Sequence, residues 1–62
     1  MQFYGITLSP ETARKFKEFL WSENIYFEGS GCYENIHIEF LTDCSFEEVI
    51  NDFVRYANRE TN

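Results

Sequence analysis

Tyr33-Glu34-Asn35-Ile36-His37-Ile38-Glu39-Phe40-Leu41 decides the fold. Ile36, Ile38 and Phe40 alternate with Asn35, His37 and Glu39, the period of a strand with one dry face and one wet face. A strand covered on both sides would be apolar throughout, so the pattern predicts an antiparallel sheet open on one side. Just before it, Gly29-Ser30-Gly31 supplies a turn whose glycines permit positive φ. Residues 25–28 read as a short strand, with Ile25 and Phe27 pointing one way and Tyr26 and Glu28 the other. Two strands joined so closely predict an antiparallel hairpin.

Working outward, residues 1–8 form another strand, with Tyr4, Ile6 and Leu8 on one face and Phe3, Gly5 and Thr7 on the other. Ser9-Pro10-Glu11 then starts a helix. Ser9 can cap, Pro10 suits the first helical position and Glu11 favours the positive end of the dipole. That helix runs to about Ser22, with Ala13, Phe16, Phe19 and Leu20 as its apolar stripe. Asp43 and Ser45 are candidate caps for a second helix, and Ser45 with Glu48 fits a capping box. Phe46, Val49, Ile50, Phe53, Val54 and Ala57 carry this helix to about residue 57, and residues 58–62 read as frayed.

The order β-α-β-β-α predicts one α+β domain: a three-stranded antiparallel sheet of order 1-3-2 with two helices on one face. Its topology resembles a ferredoxin-like fold lacking the last strand, a likeness that carries no function. A two-layer domain leaves the other sheet face uncovered. Sixty-two residues bury only about 60% of their unfolded surface, and stability is correspondingly small. Seven Phe, four Tyr and one Trp offset this with a large apolar load. The two cysteines, Cys32 and Cys44, read as small core-type residues in a reducing compartment. No basic-then-apolar leader opens the chain and no run nears 18 apolar residues, so the expectation is a cytoplasmic protein without a membrane segment.

Charge points to partners. Glu18, Glu23, Glu28, Glu34, Glu39, Asp43, Glu47, Glu48 and Asp52 follow one another with no Lys or Arg between them, in a chain of net charge −6. Such a one-sign stretch selects what can approach. Asp43, Glu47 and Glu48 are explained by a helix start. Glu28, Glu34 and Glu39 are not, and they are expected on or beside the open sheet face, with Tyr26, Tyr33 and His37 as neighbours. Aromatics on a sheet can stack bases, but the strands hold no cation to meet phosphate, which argues against direct nucleic-acid binding.

His37 with Glu39 and Glu28 has the residue types of a divalent-metal or acid–base site. A second histidine and a CxxC are both missing, and these residues read as ordinary polar groups on an outer face, with no cofactor or metal. A catalytic cysteine would need a cleft that three strands scarcely provide. The expected function is non-enzymatic binding of a protein with a basic surface, through Glu28, Glu34, Glu39, Tyr26, Tyr33 and His37. In size and charge the chain is similar to small acidic phage and mobile-element proteins that imitate a phosphate backbone. That similarity implies an inhibitor seated in a basic nucleic-acid-binding cleft. The competing expectation is a homodimer paired through the strand 1 edge or the open face.

Overall fold

The computed structural model describes residues 1–32 and 34–60. Its elements run β1 (Gln2–Leu8), α1 (Pro10–Ser22), β2 (Tyr26–Cys32), β3 (Asn35–Thr42) and α2 (Phe46–Glu60). The sheet has order β1-β3-β2, with β3 antiparallel to both neighbours. This is the α+β arrangement that the alternation of β3 predicts.

The register sorts every strand residue onto a face. Ile36, Ile38 and Phe40 stand opposite Leu8, Ile6 and Tyr4 on β1 and opposite Gly31, Gly29 and Phe27 on β2. Successive side chains alternate across a strand, so this set makes the inner face. Both helices cover it. Ala13, Phe16, Phe19 and Leu20 of α1 are buried with Ile38 and Phe40 of β3 and Val49 of α2. The Phe16 ring meets Phe40 edge-on at 5.4 Å and Phe53 at 4.9 Å and 89°. Phe19 adds contacts to Phe53 and Tyr56 at 5.7 and 5.5 Å. Interlocked rings therefore join sheet, α1 and α2 at one point.

The helix ends follow from local chemistry. The Ser9 hydroxyl accepts a 3.4 Å hydrogen bond from the Thr12 amide. The other end of α1 closes with Asn24 at φ 57°. The Asn24 amide donates to the Trp21 carbonyl and the Ile25 amide to the Leu20 carbonyl, a Schellman closure in which asparagine takes the left-handed position. At α2, the Glu48 amide donates to the Ser45 hydroxyl at 3.2 Å, the donor half of the expected capping box. Asp43 instead lies 3.4 Å from the N-terminal ammonium, and the loop is held by the Cys44 amide donating to Thr42 Oγ1.

Several expectations need correction. Gly29-Ser30-Gly31 is strand, not turn: β2 continues to Cys32 and β3 begins at Asn35. Gly31 has φ 149°, and a Cβ there would strike the Asn35 carbonyl oxygen. A Cβ on Gly29 would come within 2.9 Å of Lys17 Cε. These glycines thus serve a strand that passes close beneath α1 at Gly29 and takes a positive φ at Gly31. Helix α2 runs past residue 57 to Glu60, and Tyr56 joins the core while Val54 stays half exposed. Cys44 is exposed and free, not a core residue, because it sits in the loop that precedes the α2 cap. The Cys32 side chain and the Tyr33 end of the predicted strand lie outside the described residues.

Phe40 and Ile38 are fully buried at the centre of this packing. A 62-residue domain holds about 3–9 kcal/mol of stability in all. Phe40→Ala, costing about 3–5 kcal/mol, is expected to remove a large part of that stability and to lower the urea midpoint in proportion. Ile38→Val is expected to stay folded and lose about 0.5–1.5 kcal/mol. Urea titration followed by circular dichroism checks both.

Candidate functional site

The outer face of the sheet carries no helix, and its residues fall into cross-strand rows. Phe3, Leu41 and Tyr26 form the first, Gly5, Glu39 and Glu28 the second, and Thr7, His37 and Ser30 the third. The first row is apolar and open: Phe3 is 62% exposed and Tyr26 56%. The second places two carboxylates directly opposite each other. Like charges in that relation destabilise a sheet, and β1, β2 and β3 contain no Lys or Arg that could separate them.

Each carboxylate instead turns to a partner along its own strand. The Tyr26 hydroxyl donates a 2.7 Å hydrogen bond to Glu28 Oε1. His37 Nε2 lies 3.5 Å from Glu39 Oε1, and its Nδ1 shares a 3.1 Å hydrogen bond with Thr7 Oγ1. The imidazole reaches this position by lying across Gly5, where a Cβ would come within 3.0 Å of its Cε1. Gly5 is therefore what lets His37 settle flat between Thr7 and Glu39. Glu28, Ser30, His37 and Glu39 surround one surface depression.

The Tyr26 phenol is held above its ordinary value of 10.0. The largest cause is the hydrogen bond to Glu28, which requires the proton; the Glu28 charge follows, and burial adds least. The sign is that of a raised folded-state value: the contact favours the fold below pH 10 and its contribution fades as pH climbs through the raised value.

Of the six residues expected to make contact, the structure brings four together: Tyr26, Glu28, His37 and Glu39. Glu34 lies apart in the hairpin turn, five residues from Glu39 and so about 17 Å along the strand direction. Tyr33 lies outside the described residues. Among the described residues, no three His, Cys, Asp or Glu side chains converge as a metal ion would require, and no helix is long and apolar enough to cross a membrane. Thr7 and Gly5, which orient His37, were legible as outer-face residues but not as its neighbours. Trp21 was missed altogether, although a tryptophan off the α1 stripe is a visible signal. Comparison of the chain with protein-family models, with curated proteins and with solved structures finds no match.

The Tyr26–Glu28 contact makes a direct prediction. Absorbance at the phenolate band, titrated in the native protein and in Tyr26→Phe, isolates the Tyr26 step by difference. Glu28→Gln removes the charge and is expected to bring that step down toward 10. An unchanged titration would mean that Glu28 is not its cause.

Proposed function

We propose that the chain is a non-enzymatic protein-binding domain whose outer sheet face receives a cationic segment of a partner. The observation that carries this is the register pairing of Glu28 with Glu39, two carboxylates opposed without a cation on any strand. A guanidinium or ammonium inserted between them would replace repulsion with two charge-assisted hydrogen bonds. Phe3, Leu41 and Tyr26 provide an apolar strip beside the charge, and exposed aromatics of this kind anchor many interfaces. The sharper form of the reading is an inhibitor seated in a basic nucleic-acid-binding cleft, its carboxylates standing where phosphates would. The net charge of −6 supports it by steering the chain toward such a cleft. The same charge opposes direct binding of nucleic acid. An exposed, free Cys44 suits a reducing cytoplasm, where its thiol would persist.

Binding and stability are then set against each other at one position. Glu28→Gln keeps an acceptor for the Tyr26 hydroxyl and ends the like-charge opposition, so the variant should be more stable by about 0.2–1 kcal/mol. With Glu39→Gln added, it should lose the partners that the native chain captures from its host's lysate at low salt. Those partners should also wash off as salt rises. Capture followed by mass spectrometry, alongside thermal unfolding, tests both halves. Retention of the same partners by the double variant, or at high salt, would sink the reading.

A further inference from the structure

The second free edge of the sheet offers a different surface. β2 has no strand on its outer side, so alternate backbone N–H and C=O groups there are available for pairing. Helix α1 walls this edge on the core side. Arg14, Lys17, Glu18, Trp21 and Ser22 of α1 and Phe27 of β2 line a groove of about 500 Å³. A second depression, where β2 begins, shares Trp21 and Phe27 with it. Trp21 is 77% exposed, and the asparagine-capped end of α1 fixes its place beside the strand. Lys17 lays its stem over β2, with Cε and Nζ 2.9 and 3.0 Å from where a Gly29 Cβ would stand. Arg14 lies nearly one turn earlier. Among the described residues, no ion pair involves Arg14 or Lys17. Two of only five Lys and Arg residues, in a chain with eleven Asp and Glu, thus rim an apolar groove, and among the described residues neither pairs with Glu18, the one carboxylate that lines it.

We infer that this groove binds an extended acidic segment of a protein partner, added to the edge of β2 as a fourth strand. Strand addition beside a helix uses backbone hydrogen bonds for affinity and alternate side chains for selection. An apolar side chain of the segment rests on Trp21 and Phe27. Two residues away, a carboxylate meets Lys17 and Arg14. The spacing agrees: Lys17 precedes Trp21 by about 6 Å of helix rise, and same-face residues of a strand are roughly 7 Å apart. This surface is separate from the carboxylate face and selects the opposite charge.

Trp21 is the sole tryptophan, so its fluorescence reports on the groove directly. The probe is a capped hexapeptide, Thr-Leu-Thr-Glu-Thr-Leu, compared with the same peptide carrying Lys in place of Glu. The acidic peptide is expected to give a saturable blue shift that weakens in about 0.5 M salt. Arg14→Gln with Lys17→Met retains Trp21 and should weaken binding roughly 2- to 30-fold. If that pair disturbs the fold by circular dichroism, Arg14→Gln alone, at an exposed position, gives the smaller loss. An equal shift with the lysine peptide, no shift with either at millimolar concentration, or tighter binding of an oligothymidylate would overturn the inference.

Discussion

Burial of the inner face of β3 is the constraint on which the rest of the structure depends. Ile38 and Phe40 are fully buried, with Tyr4 and Phe27 flanking Phe40 across the sheet and Phe16 set edge-on above it. Because side chains alternate across a strand, committing Ile36, Ile38 and Phe40 to the core commits Asn35, His37, Glu39 and Leu41 to the opposite side. A slip of one residue in register would bury Glu39 and expose Phe40. The core thus fixes the acidic face as firmly as it fixes itself.

The face that results has an apolar row, Phe3, Leu41 and Tyr26, beside a charged one. Glu28 and Glu39 are forced together by the same register that aligns Phe27 with Phe40. The fold tolerates the opposition by giving each carboxylate a neighbour on its own strand, Tyr26 for Glu28 and His37 for Glu39. Gly5 contributes by having no side chain, which clears the space that His37 occupies. Stability given up locally is a common companion of binding surfaces, and it is on this opposition that the proposed function rests.

Much of this was legible in the sequence, because strong signals agreed. The period-two run of β3, the Ser9-Pro10-Glu11 start and the two helical stripes each point to the same two-layer answer. What was not legible has physical reasons. Gly29 and Gly31 carry a turn's composition, yet one clears room for Lys17 and the other adopts a positive φ inside the strand. Sequence alone cannot tell a turn glycine from a strand glycine when both needs are met by the same missing Cβ. That error displaced the hairpin end and placed Glu34 among the face residues, whereas it lies at the tip. The pairing of Glu28 with Glu39 likewise depends on hairpin register, which follows from where the turn falls. Asn24 carried a readable helix-stop signal, and with it the position of Trp21 beside β2.

The carboxylate face is tested most directly by amide hydrogen exchange of the chain, free and bound to the partner it captures. An interface on the outer sheet face slows exchange along β3 and its neighbours, from Gly5 to Thr7, Tyr26 to Ser30 and His37 to Leu41, and leaves the solvent side of α2 unchanged. Protection centred on α2, with the strands unaffected, would contradict the role proposed for this face.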